Sequence, residues 1–161
     1  LADLAQSPVR FINRQEGSGT RLLTDHLLAQ EGVDPRLITN YQQISEDSHM
    51  AVAAAVAAGV GDAGMGIEAA ARSFGLDFVP LMEEDYFLVC LKDALDHPAV
   101  LKLTEALRSP DWAEWIGELP GYQTRASGEV LSLTRALPWW QFRTAKDGES
   151  TLAEAADGDD A

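Results

Sequence analysis

The chain has 161 residues, 46% of them hydrophobic and 24% charged, and a formal net charge of −14. That is the composition of an ordinary globular domain with a real core, and it argues against a nucleic-acid-binding face, which needs clustered Lys and Arg. No run of about 18 apolar residues is present, so no segment reads as membrane-spanning.

Val9–Asn13 (VRFIN) is short and β-prone and predicts a strand. After EGSG, the residues from Thr20 to Gln30 predict a helix, with Leu22, Leu23, Leu27 and Leu28 on one face. Gly32 ends it, Asp34–Pro35 marks a turn, and Leu37–Ile44 reads as a second strand. Asp47 or Ser48 caps an alanine-rich helix that stops at Gly59. Asp62–Ile67 (DAGMGI) reads as a small-residue strand, and EAAARSFG as a short helix. DFVPL and YFLVCLK predict two more strands separated by the acidic MEED.

From Pro98 the pattern is helical. Val100, Leu103 and Leu107 keep helical spacing, and Ser109–Pro110 opens a helix carrying Trp112, Trp115, Ile116 and Leu119. ELPGYQ breaks the chain, and Ser127 is expected to cap a last helix with Val130, Leu133, Thr134 and Leu137 before Pro138. The Trp112/Trp115 and Trp139/Trp140 pairs read as core or interface. From Lys146 onward there are six carboxylates against one lysine, so residues 141–161 read as an acidic, disordered tail. The single cysteine, Cys90, excludes an internal disulfide and reads as a small buried hydrophobe. The dispersed histidines give no support for a metal site. Strands alternating with helices imply an α/β fold with a mostly parallel sheet and a helical C-terminal third.

The turn EGSGT, between a strand and a helix, leaves backbone N–H groups free at the positive end of a helix. Ser18, Gly19, Thr20 and Arg21 thus form the first candidate oxyanion site, with Arg14 as a secondary source of charge. The bland alternative is a capped helix with no ligand. Three sharper readings fail on spelling. GxxxxGK[ST] lacks its lysine, Ser18 is not in GxSxG, and the glycines of GVGDAG precede a strand instead of following one. No catalytic residues are expected: no Ser/His/Asp spacing supports an enzyme using Ser18 or His49.

Three stretches, FINRQEGSGTRLLTDHLLAQEGV, SHMAVAAAVAAGVGDAGMGIEAAARSFGLDFVPLMEEDYFLVC and LPGYQTRASGEV, carry a family resemblance. In this order they resemble the periplasmic-binding-protein-like (type II) domain of molybdate- or tungstate-sensing transcriptional regulators, over about residues 1–140. The resemblance implies two lobes holding an oxyanion between them. It also implies that this chain is the second lobe, with a first lobe and any helix-turn-helix region upstream.

Mapped on this chain, the resemblance adds Ser48 and His49 to the candidate ligand contacts; Ser48 also reads as a plain N-cap and His49 as a surface residue. Asp62 and Tyr86 are secondary candidates. Asp62, with Gly64, shapes the sheet edge, and Tyr86 lines the cleft or packs on Phe87. Molybdate, tungstate and sulfate want donors only, whereas a protonated phosphate also wants an acceptor; Glu16, beside the turn, reads equally as that acceptor and as a solvated surface charge.

The leading expectation is a non-catalytic oxyanion sensor without a cofactor, its partners being the small anion and an attached DNA-binding region. The alternatives are a solute-capture protein for a transporter and a ligand-free domain that forms homodimers. The cytoplasm is the expected compartment, and the periplasm the alternative if a signal peptide lies upstream.

Overall fold

The structure, a computed structural model, describes residues 1–6 and 8–137. The expected acidic tail and the Trp139/Trp140 pair lie outside the described residues. The elements in chain order are α1 (Ala2–Gln6), β1 (Phe11–Arg14), α2 (Gly19–Gln30), β2 (Ser45–Glu46), α3 (His49–Ala57), β3 (Ala63–Gly64), α4 (Glu68–Ser73), α5 (Pro98–Arg108), α6 (Pro110–Gly117) and α7 (Leu133–Ala136). The three strands form one parallel sheet in the order β2-β1-β3. The expected α/β class and parallel pairing are therefore present.

β1 is the central strand, and all four of its residues are buried. Asn13 and Arg14 pair with Ser45 and Glu46 on one side, and Phe11 and Ile12 pair with Ala63 and Gly64 on the other. Strand alternation sends Phe11 and Asn13 to one face of the sheet and Ile12 and Arg14 to the other. On the first face, Phe11 joins Leu28, Ile38 and Tyr41 in a core cluster covered by Leu1, Leu4 and Val33. Phe11 and Tyr41 stack with ring centroids 5.7 Å apart. Each such side chain contributes roughly 1.5–3 kcal/mol on burial. The second face meets α3 and the GVGDAG turn. A Cβ added to Gly61 would lie 2.5 Å from the Ile12 side chain, and one added to Gly64 would lie 2.5 Å from Val52 Cγ1. Those glycines are where α3 and the β3 backbone come against Ile12.

Several expected elements are different in the structure. Leu37–Ile44 is not a strand. Asp34 accepts the Arg36 N–H and caps a 3-10 turn over Pro35–Leu37, Asn40 adopts φ 68°, and only Thr39 bridges to Arg10. The chain winds here because Ile38 and Tyr41 both turn into the core, which an alternating strand would not allow. The pairing strand comes after it, at Ser45–Glu46. The predicted Asp62–Ile67 strand shortens to Ala63–Gly64.

DFVPL and YFLVCLK also correct the expectation. Neither pairs with a strand among the described residues, and Val79 through Leu91 are exposed. Cys90 is accordingly exposed, not buried. Hydrophobicity marks these stretches as β-prone, but a strand forms only where a partner backbone lies alongside. The last helix is shorter than expected. Residues 129–132 are outside helix, and α7 begins after Ser132. Ser127 does not cap it, because its hydroxyl accepts the Trp112 indole N–H at 2.9 Å. Trp112 is half-buried and tilts against Trp115 at 5.5 Å, while Trp115 itself is 58% exposed.

Candidate functional site

In a parallel sheet, ligands collect outside the carboxyl ends of the strands, where loops lead into helix N-termini. Here that edge holds Arg14, the α2 start, the α3 start and the β3–α4 turn. The first turn folds as its glycine and serine dictate. Gly17 takes φ 83°, and Ser18 then sits extended as the α2 N-cap with its Oγ accepting the Arg21 N–H at 3.2 Å. The N–H groups of Gly19 and Thr20 remain without an acceptor among the described residues. The α3 start repeats the device. Ser48 Oγ accepts the Ala51 N–H at 3.1 Å, leaving the N–H groups of His49 and Met50 free in the same sense.

The two arginines flanking the first turn have different fates. Arg21 Nε faces the Asp25 carboxylate at 3.2 Å, its guanidinium lies 4.7 Å over the Tyr41 ring, and Tyr41 Oη donates to Asp25 Oδ1 at 2.5 Å. Burial first, and the Asp25 hydrogen bond second, push the Tyr41 phenol up to about 12. Arg21 is thus closed into a pair with Asp25 under Tyr41, on the core side of α2.

Arg14 lies at the end of the central strand and is 8% exposed. The fully buried Asn13 helps set its backbone, taking the Arg14 N–H on Oδ1 at 2.9 Å and donating Nδ2 to the Tyr41 carbonyl at 3.0 Å. Strand alternation aims the Arg14 side chain at the α3 start, where Nη2 donates to the Asp47 carbonyl at 3.0 Å. Its Nε and Nη1 are buried and unpartnered among the described residues. Buried polar groups are nearly always satisfied, so two orphaned donors on one buried cation are a strong signal.

His49 is the third member. Its Nδ1 is likewise buried without a hydrogen-bond partner among the described residues. Gly66, in the turn after β3, comes against the ring: a Cβ there would lie 3.7 Å from Nδ1. Burial lowers the His49 pKa below the usual histidine value, the Arg14 charge lowers it further, and Glu84 opposes both. Tyr86 shares this neighbourhood, although the residue as a whole is 70% exposed. Desolvation lifts its phenol, Tyr122 and Glu84 add to the rise, and Arg14 opposes it. The Tyr86 and Tyr122 rings stack at 6.4 Å, and Arg125 Nη2 pairs with Glu83 at 3.0 Å, so the LPGYQTR loop is tied to the MEEDY stretch.

Among the sequence-predicted residues, Arg14, Ser18, Gly19, Thr20, Ser48, His49 and Tyr86 thus lie toward the carboxyl edge of the sheet. Arg21 starts from the same turn but points its guanidinium at Asp25. Asp62 is at the opposite end of β1, where its carboxylate takes the Arg10 N–H at 2.9 Å and the Arg10 guanidinium at 2.8 Å. Sequence reasoning missed Glu84 and Tyr122. In the sequence the acidic MEED reads only as a separator between strands, and LPGYQ only as a break. Among the described residues no three His, Cys, Asp or Glu side chains gather as a metal cluster, and no helix is long and apolar enough to cross a membrane.

Comparison with known proteins places this geometry in context. Residues 1–108 match the family model described as the PBP superfamily domain. Over 129 residues, 80% of this chain, the sequence is 38% identical to the uncharacterized protein YvgK of Bacillus subtilis (strain 168), and the match covers 41% of that protein. It is also 30% identical over 112 residues, 69% of this chain, to the uncharacterized protein in the ferredoxin 2Fe-2S gene 5′ region of Clostridium pasteurianum, covering 98% of that protein. The chain therefore spans about two fifths of the first relative's length and nearly all of the second's. No solved structure matches.

Proposed function

Because this chain belongs to the PBP superfamily, whose domains are in general non-catalytic binding modules, we propose that it binds a small tetrahedral oxyanion at the carboxyl edge of its sheet, as the ligand-sensing part of a regulator. The observation that carries this reading is the buried Arg14 guanidinium, whose Nε and Nη1 lack acceptors among the described residues while its Nη2 is anchored beside the α3 start. An anion supplies what those donors lack. The free N–H groups at Gly19, Thr20, His49 and Met50 add donors and the positive ends of two helix dipoles. Ser18 and Ser48 act here as caps that hold the helix starts open, and Arg21 acts as scaffold.

The donor set is rich in N–H groups, and Glu16, beside the first turn, and Glu84, which faces His49, are both exposed. That balance favours an unprotonated dianion such as molybdate, tungstate or sulfate over a protonated phosphate. In the two-lobed arrangement that the family resemblance implies, a second lobe closes over this half-site and the closure reports occupancy to an attached effector region. The net charge of −14 slows long-range approach but leaves the short-range donors in command once the ion is desolvated.

The test is calorimetric titration of molybdate, tungstate, sulfate and phosphate into the wild type and Arg14→Ala. One dianion is expected to bind the wild type, with affinity reduced about 100-fold in the variant, as for loss of a charged hydrogen-bonding partner. Equal affinity in the two proteins, or no binding of any of the four, would sink the reading.

A further inference from the structure

Among the described residues, three polar atoms are buried without partners at this edge: Nε and Nη1 of Arg14 and Nδ1 of His49. If the arginine N–H groups pointed at the imidazole lone pair they would satisfy each other, and they do not. An oxygen-only ligand among the three accepts from Arg14 in every case. It accepts from His49 as well only when Nδ1 carries a proton, in the neutral Nδ1–H tautomer or in the imidazolium.

Resting on the oxyanion reading above, we propose that His49 takes up a proton from solvent when an unprotonated dianion binds, and that this coupled protonation makes the affinity of the site for dianions depend on pH. One dianion and one solvent proton enter, the ring becomes an imidazolium that donates from Nδ1, and no covalent bond other than N–H forms.

The surroundings of His49 make the switch a large one. The groups that face it are Arg14 from β1, Glu84 from the MEEDY stretch and the bare Gly66 backbone from the β3–α4 turn. On its own helix, the Ser48 hydroxyl is already used on the Ala51 N–H. In the empty site, burial and the Arg14 charge both hold the ring neutral. A dianion offsets the Arg14 charge and leaves a net negative charge beside the ring, so the same ring becomes the stronger base when the site is filled. The sign follows from linkage. Binding takes up a proton between the free-state and bound-state pKa values of His49, so affinity rises as pH falls through the bound-state value and levels off below the free-state value. A monohydrogen oxyanion brings its own proton, which the neutral Nδ1 lone pair accepts, and so binds without this dependence.

The experiment is titration of molybdate, and of sulfate as a second dianion, into the wild type and His49→Gln at pH 7 in Pipes and in imidazole buffer. The difference in heat between buffers counts the protons taken up. The wild type is expected to take up a net fraction of a proton and to lose affinity by up to about tenfold per pH unit between pH 6 and 8. H49Q is expected to keep Arg14-dependent binding, several-fold weaker, with no uptake and a flat pH profile. Arg14-dependent binding with zero uptake in the wild type, or with the same uptake in H49Q, would overturn the inference and leave the oxyanion reading standing. No binding of either dianion to the wild type overturns both.

Discussion

The two arginines that bracket the glycine turn show how little residue type says about role. Both are 8% exposed. Arg21, on α2, has a carboxylate one helical turn away at Asp25 and closes on it. Arg14 is on a strand, where the next residues on its face belong to other elements, and its Nε and Nη1 stay open among the described residues. Arg10, just before β1, goes a third way. It grips Asp62 and holds that carboxyl well below its ordinary range, at about 2, through side-chain and then backbone hydrogen bonds. A depressed carboxyl contributes stability that is present above its unfolded pKa and is lost as pH falls through the folded value. The urea midpoint of the wild type should therefore exceed that of Asp62→Asn at pH 5 and converge with it near pH 2. A gap that stays constant over that interval would mean that the ion pair contributes nothing through ionisation.

At the scale of elements, local chemistry and tertiary contact divide the work. The α2 and α3 starts are specified locally: in each, a serine accepts the N–H three residues on, and the free donors follow from helix geometry. The β3 approach is specified by space. A Cβ on Gly64 would meet Val52 Cγ1 at 2.5 Å and the Ile12 carbonyl oxygen at 2.9 Å, and the carbonyl belongs to the central strand and cannot give way. Gly64→Ala should cost about 1–3 kcal/mol in urea denaturation, as overpacking of a core does. Gly19→Ala, with nothing within 4 Å of the added atom, should stay within about 0.5 kcal/mol of wild type. Similar losses at both positions would show that crowding by Val52 and Ile12 does not set the cost at Gly64.

Across the whole molecule, order follows from backbone pairing. The N–H groups of Phe11, Asn13 and Gln15 are all taken by carbonyls of neighbouring segments. Between residues 77 and 90 no backbone N–H finds a backbone acceptor among the described residues, and the apolar side chains from Val79 to Leu91 face outward. Hydrogen exchange followed by mass spectrometry should find β1 protected for orders of magnitude longer than residues 77–90. Addition of a bound dianion should slow exchange selectively at Gly19–Thr20 and His49–Met50. Protection of residues 77–90 equal to that of β1 would show that the segment is paired in solution.

What the sequence determined by itself was whatever depends on near neighbours in the chain. It marked β1, the caps of α2 and α3, the helical spacing of α5 and α6, and the anion-ready spelling of EGSGT. The PBP-like class was legible for the same reason, since its ordered motifs are local. Tertiary structure alone decided which β-prone runs found partners: Ser45–Glu46 did, whereas DFVPL and YFLVCLK did not, although the latter are the more hydrophobic. It alone decided that Cys90 is exposed and that Asp62 sits at the far end of β1. It also closed Arg21 onto Asp25 and left Nε and Nη1 of Arg14 unpartnered among the described residues. An unpaired backbone or a free guanidinium is defined by what comes alongside it in space, and that is set by elements dozens of residues away.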